Sequence, residues 1–248
     1  MHKKYRREWE KAGYGSVMGS SEVVLPPSVQ FKRLYHITSA EYGVNDIGLG
    51  RLKVARLSDL NDPFELMALN FRENHTRQAV LNFKDAYDAK AGLLCFSADW
   101  TNPVLWSHYG SKHRGICLGF NVLRSSQMQQ VQYEDERILV NLSDSAELTS
   151  LDGDLQDLLI RTKFRHWHYE EEWRRFVTLD GLPKEGNNHF YSFDETIQLA
   201  EVILGPLCQV SLSAVQKLTW ALDPNVSVIK ARLAEKFFKV VPAEETVN

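Results

Sequence analysis

The chain has 248 residues, a formal net charge of -3 and 44% hydrophobic residues. This is ordinary globular composition, enough for one large domain or two small ones. It has neither the basic excess of a broad nucleic-acid binder nor the acidic excess of a solvating tail. No apolar run is long enough to span a bilayer. The charged start "MHKKYRREWEK" is not followed by the apolar stretch of a secretory signal, so the expected location is cytoplasmic. Cys95, Cys117 and Cys208 are widely spaced, odd in number and set in apolar contexts, which fits buried reduced thiols.

Residues 1–28 show no period and end in "SEVVLPPS"; they are expected to form a flexible arm, with one domain over 29–248. "FKRLYHIT" predicts the first core strand, with Lys32 and Arg33 facing outward, and "RLKVARLSDL" a second strand closed by the turn-forming "NDP". The spacing of Val80, Leu81, Phe83, Ala86 and Tyr87 predicts an amphipathic helix from Glu73 to Lys90. "AGLLCFSA" reads as a buried strand. "NPVLWSHYG" reads as a short helix with Asn102 as N-cap, Pro103 at its first position and Gly110 as its end. "GICLGFNV" predicts another buried strand and "VQYEDER" an exposed one. "GDLQDLLIRTKFRHWHY" has helical spacing at Leu155, Leu158, Leu159, Thr162 and Phe164–Arg165. "EWRRFVTL", "AEVILG" and "KFFKVVPA" supply strands, and "SLSAVQKLTWAL" a helix capped by serine. The links between strands are too short for regular parallel crossovers, so the expected class is α+β with a mainly antiparallel sheet.

Four stretches carry candidate chemistry. In "LYHIT", Tyr35 and His36 point to opposite faces of a strand. In "SDLNDPFE", Asp62 caps its own backbone, Pro63 sets φ, and Phe64 is expected to tuck beneath the turn. Polar residues at a strand end either finish a turn or form the rim of a site. In "CFSADWTNPVLWSHYGSKHRG", Ser97 ends a buried strand. Trp106 with Tyr109, and Leu105 with His108, are i, i+3 pairs on the short helix. Metal binding by His108 and His113, or by His166 and His168, lacks a matching cysteine or acidic set, and no metal is expected. In "WHYEEEWRRFV", strand alternation puts Glu170, Glu172 and Arg174 on one face and Glu171 with Trp173 on the other. A carboxylate beside an arginine stays ionised at neutral pH.

Taken together, "LYHIT", "NDPFE", "CFS", "WSHY" with a following H-x-G, and "WHYEEEWR", between Leu34 and Pro206, resemble a widespread uncharacterised bacterial family. That family is in turn distantly similar to ADP-ribosyltransferase-like proteins. The resemblance implies two small packed sheets of mainly antiparallel strands with flanking helices, and NAD as a substrate whose nicotinamide–ribose bond is cleaved. It implies that His36 holds the ribose, Tyr109 stacks on nicotinamide and Glu172 is the catalytic carboxylate, with Glu170 as the alternative. Thr38, Asn61, Asp62, Glu65, Ser97, Trp106, His108, His113 and Arg174 are the expected surrounding residues, with Arg174 or Arg114 at the pyrophosphate. The Ser-Thr-Ser run of some toxins is absent, and Ser97 is its nearest substitute. The acceptor, protein or nucleic acid, is left open, and a toxin or phage-defence setting with an antitoxin or defence-system partner is implied by the same likeness. Two other functions fit these residues. One is a nucleotide-binding module without catalysis. The other is a magnesium-dependent nuclease built on Asp62, Glu65, Glu170 and Glu172.

Overall fold

A computed structural model describes residues 30–65, 67–68, 74–124, 126–138 and 158–243. The arm expected over 1–28 lies outside the described residues. In chain order the elements are β1 (Phe31–Thr38), α1 (Ala40–Leu49), β2 (Arg51–Val54), a 3₁₀ turn (Leu57–Asp59), α2 (Asn74–Lys90), β3 (Ala91–Ser97), α3 (Pro103–His108) and β4 (Ile116–Leu123). Then follow β5 (Met128–Gln130), β6 (Gln132–Glu134), β7 (Thr162–Phe164), a 3₁₀ turn (Arg165–Glu170), β8 (Glu172–Thr178), β9 (Lys184–Glu185) and β10 (Asn188–Ser192). β11 (Ile197–Leu204), α4 (Leu212–Leu222), β12 (Ser227–Leu233) and β13 (Val240–Pro242) complete the chain. No helix among the described residues is long and apolar enough to cross a membrane.

The class is α+β, as the alternation of elements predicts. The expected pair of small sheets is replaced by one eight-stranded sheet, ordered β13-β12-β11-β4-β1-β3-β8-β5, with small sheets β2-β10-β9 and β6-β7 beside it. The large sheet is antiparallel except for β11 and β12, which run parallel and are joined through α4. β4 is at its centre, and its apolar sequence "ICLGFNVL" matches burial on both faces. All eight residues of β1 pair with β4, whereas β1 meets β3 through the single pair Tyr35–Ser97. β3 then pairs along its whole length with β8. The sheet is therefore nearly divided between β1 and β3.

Three apolar clusters hold this arrangement. Leu34, Leu118, Phe120 and Val202 pack under α1 and α4 through Ile47 and Val215. Ile37, Trp106, Cys117, Ile203 and Val240 fill the opposite face, and Leu93, Leu57 and Ile160 pack with Phe83 and Tyr87 of α2. The helix caps are local. Ser39 Oγ accepts from the Tyr42 amide at 3.2 Å, Asn102 Oδ1 accepts from Val104 at 2.9 Å, and Ser211 Oγ accepts from Ala214 at 3.4 Å. Gly50 closes α1 at φ 60°, where a side chain would be strained.

Several local expectations are corrected. α3 ends at His108 with Tyr109 as its C-cap, one turn position before Gly110. The helical spacing at Thr162 and Phe164–Arg165 gives instead a short strand and a 3₁₀ turn, because Thr162–Phe164 pairs with Gln132–Glu134. Phe64 is 56% exposed instead of tucked under its turn, and the Arg137 guanidinium is 5.2 Å from its ring. Arg33 does not face outward; it pairs with buried Glu201 at 2.5 Å. α1, β10 and β12 form where no element was predicted.

The turn after α3 has three successive left-handed residues, Ser111, Lys112 and His113, at φ 47°, 56° and 67°. Each costs about 1–2 kcal/mol in an L-residue. The turn is held by the His113 amide on Trp106 O (3.1 Å), Leu207 on His113 O (2.9 Å) and Gly115 on Gly110 O (2.7 Å). A Cβ at Gly115 would overlap the Thr38 carbonyl oxygen, and one at Gly205 would lie 2.6 Å from His113 O. The H-x-G and "LGP" segments thus form a backbone clasp joining β1, β4 and β11. Gly115→Ala is expected to cost about 2–3 kcal/mol by overpacking, lowering Tm by roughly 5–10 °C. A thermal melt of the variant that overlays the wild type would refute the clasp.

Candidate functional site

A cleft of about 470 Å³ lies where β1 and β3 part, a size within the roughly 300–1,000 Å³ of small-molecule sites. Tyr35, His36 and Ile37 of β1 face Cys95, Phe96 and Ser97 of β3. Asp59, Leu60, Asn61 and Glu65 enter from the segment after β2, and Leu105, His108 and Tyr109 from α3 and its cap. Lys163, Glu170 and Glu172 complete the lining.

The floor is a buried ion network. Arg174, 1% exposed, donates from Nε and Nη2 to Glu172 (2.8 and 2.9 Å) and from Nη1 and Nη2 to Glu65 (2.9 and 2.7 Å). A fifth bond reaches Ile160 O at 3.1 Å, so all five guanidinium N–H groups are used. Lys163 Nζ lies 2.6 Å from Glu170 and 3.3 Å from both Glu172 and Glu65. Three carboxylates thus face two cations, and the cluster carries one excess negative charge when every group is ionised. Buried charges need this degree of pairing.

The approach to β8 sets which glutamates reach the network. Glu170 ends the 3₁₀ turn, Glu171 adopts φ 43°, ψ 47°, and β8 starts at Glu172. The left-handed residue turns Glu171 to solvent while Glu170 and Glu172 are 4% and 6% exposed. The Glu171 carbonyl accepts from Ala98 (3.1 Å), and the Glu172 amide bonds Tyr133 Oη (2.9 Å), so the bend is tied on both sides.

Burial raises the proton affinity of both carboxyls, but their neighbours separate them. At Glu172 the opposing charges of Arg174 and Lys163 outweigh burial and pull the pKa down to about 2. At Glu170 burial, with Glu172 nearby, prevails over Lys163, and the pKa moves up. Tyr109 Oη donates to Glu170 Oε1 and accepts from Asn61 Nδ2 at 3.0 Å. Burial and the Glu170 charge keep that phenol protonated. Burial pushes the His36 imidazole down, toward its neutral form. Its Nδ1 lies 3.0 Å from Cys95 O; a carbonyl can only accept, so the proton is on Nδ1 and Nε2 is left as an acceptor.

The cleft gathers His36, Asn61, Glu65, Ser97, His108, Tyr109, Glu170 and Glu172 from segments far apart in sequence. Six other candidates lie elsewhere. Arg174 is buried within the floor with its five donors used, and neither it nor Arg114 is in the lining. Asp62 is 4% exposed and caps Phe64 N at 2.9 Å. Trp106 is fully buried, its indole N–H donating to Trp100 O at 2.6 Å. Thr38 pairs with Ile116, and His113 belongs to the clasp with Nε2 3.1 Å from Ser107 Oγ. Lys163 was missed by the sequence reading because it was absorbed into a helical pattern. Tyr133 was missed because a short exposed strand gives no sign of where its hydroxyl lies.

The two carboxyl shifts have opposite linkage signs. Between the ordinary 4.5 and about 2, the unfolded chain binds more protons at Glu172; that stability is present above 4.5 and lost as pH falls through the folded value. Above 4.5 the folded chain holds the Glu170 proton more tightly, so that contribution declines as pH rises through the raised value. Arg174→Met is expected to cost roughly 3–5 kcal/mol at neutral pH, as an unpaired buried charge does, and to flatten the acid limb of a Tm–pH curve. Glu170→Gln is expected to preserve that limb and remove the decline above it. An unaltered acid limb in Arg174→Met would show that the guanidinium does not hold Glu172 ionised.

Residues 105–175 match the family described as "Protein of unknown function (DUF2971)". The matched stretch contains Tyr109, Lys163, Glu170, Glu172 and Arg174 and leaves out His36, Asn61, Glu65 and Ser97. The chain matches no curated protein and no solved structure.

Proposed function

We propose that the cleft takes the nicotinamide–ribose half of NAD and cleaves the bond between ring and sugar, passing ADP-ribose to an acceptor or to water. The observation that carries this reading is the pair of adjacent cleft carboxyls in unequal surroundings, Glu172 held by both Arg174 and Lys163 and Glu170 by Lys163 and the Tyr109 hydroxyl, which shifts their proton affinities in opposite directions. Such a separation is how two carboxyls divide charge stabilisation from proton transfer. The excess negative charge also suits a pyridinium ring and the cationic sugar that forms as the bond breaks. His36 on β1 and Glu172 on β8 line the cleft from opposite sides of the gap between β1 and β3.

Each group then has a task. Nicotinamide departs with the bonding electron pair, and the Glu172 charge stabilises the cationic sugar left behind. His36 offers Nε2 to a ribose hydroxyl. Tyr109, fixed by Asn61 and Glu170, presents its ring to the flat leaving group. The acceptor adds to the sugar and its proton passes to Glu170. Among the described residues no unengaged cation lines the cleft, so this reading puts the phosphates outside it.

The nuclease reading is weaker on this donor set. Asp62 is used as a turn cap, and Glu65, Glu170 and Glu172 already face Lys163 and Arg174. A metal ion would have to displace those cations.

The test is release of free nicotinamide from NAD, with and without EDTA, by wild type and Glu172→Gln. Wild type is expected to release nicotinamide regardless of EDTA, and the variant to lose about 10²–10³-fold, the magnitude seen when one preorganised electrostatic group is removed. Equal release by both proteins overturns the site. Tight NAD binding with no release by either favours a binding module, and loss of activity on chelation favours the metal-dependent reading.

A further inference from the structure

The cleft leaves the rest of a dinucleotide unaccounted for, and the 3₁₀ turn that leads into Glu170 has the chemistry to receive it. His108, which lines the cleft, lies parallel to Tyr169, with ring centroids 6.3 Å apart and planes at 20°, and 6.2 Å from Trp167. Trp167 in turn receives Lys163, whose Nζ is 4.8 Å from the ring. The aromatic rim is thus continuous with the carboxylate floor. At the start of the same turn its N-cap Phe164, the last residue of β7, stacks with His166 at 4.7 Å with planes 5° apart, and both are exposed, Phe164 by 45%. A pair packed face to face yet left in solvent does little for the core. Arg165, between them, pairs with Asp135 at 3.1 Å, and both side chains are about 60% exposed. Such surface pairs are weak and readily exchanged, so the guanidinium can move from Asp135 to a phosphate.

We propose that this rim, Phe164 to Tyr169 with His108, is a nucleobase subsite: it stacks the base of the dinucleotide's second nucleotide while the nicotinamide ribose sits over Glu172, with Arg165 at the linking phosphates. The inference rests on the NAD reading and names the part of the substrate that the cleft does not hold. Flat rings with parallel planes select a planar unsaturated partner over an aliphatic one, and stacking tolerates any base.

ADP-ribose is ribose 5-phosphate extended by a second phosphate, a second ribose and a base, so calorimetric titration of the two in wild type and in a ring variant isolates the rim. Wild type is expected to bind ADP-ribose at least about tenfold more tightly, a modest value for one stacked base. The double variant Phe164→Ala/His166→Ala, which changes only exposed rings, is expected to lose that difference and keep the weaker ribose 5-phosphate affinity. Trp167→Ala is a second probe, with unchanged near-ultraviolet circular dichroism elsewhere as its folding control. Equal affinity of wild type for the two ligands, or double-variant binding of ADP-ribose at wild-type strength, overturns the subsite. Nicotinamide release from NAD by the double variant separates the two proposals. Release with a raised KM and unchanged kcat supports the rim; release with both constants unchanged removes the rim and leaves the cleft reading standing. Absence of release and of binding in wild type removes both.

Discussion

A guanidinium removed from water, with every donor spoken for, is the constraint on which the rest of this molecule depends. Arg174 is stable at 1% exposure only because Glu65 and Glu172 both reach it and Ile160 supplies a carbonyl. Those partners come from the turn after β2, from β8 itself and from the segment before β7. Desolvating one charge therefore ties two other pieces of chain to β8. The Asn-Asp-Pro-Phe-Glu motif gains a physical meaning in this light. Asp62 and Pro63 shape the turn, the turn aims Glu65 inward, and Asn61 reaches Tyr109 on the other wall. Lys163 then links the remaining carboxylate, Glu170, to the same charge system.

The second constraint is architectural. β1 and β3 touch at one ladder pair, and the opening between them lets side chains of both strands face a common space. Backbone groups released by the parting still need partners. His36 meets one of these needs through Cys95 O, so a single residue repairs the sheet and presents a nitrogen acceptor. Motifs that look alike in sequence divide into two kinds of work. Asn61, Glu65, Ser97, Tyr109 and Glu172 furnish the cleft, whereas Trp106, His113, Gly115 and Gly205 hold the strands around it.

Much of this was legible in the sequence where the signal is local. Asn102–Pro103 and Ser211 announced their helices, and the apolar run at β4 announced a strand covered on both sides. The inward pairing of Glu170 and Glu172 was foreseen, although the strand alternation used to reach it applies only from Glu172 onward. α1 was readable and unread: Ser39 and Gly50 bracket it as N-cap and left-handed terminus. Other features depend on distant neighbours. Lys163 sits in a three-residue strand that exists only because β6 pairs with it. Arg174 shares a face with Glu172 on alternation alone, but its burial depends on Glu65, which arrives from beyond β2. The gap between β1 and β3 leaves no trace in either strand's own pattern.

The bend at Glu171 separates what its backbone does from what its side chain does. Inserting or deleting one residue there would exchange the inward and outward glutamates, while replacing the side chain alone would not. Glycine or asparagine, which enter the left-handed basin easily, would suit the position as well as glutamate, and a β-branched residue would suit it poorly. At the middle of the acidic triplet, chain length and handedness are under stricter control than charge.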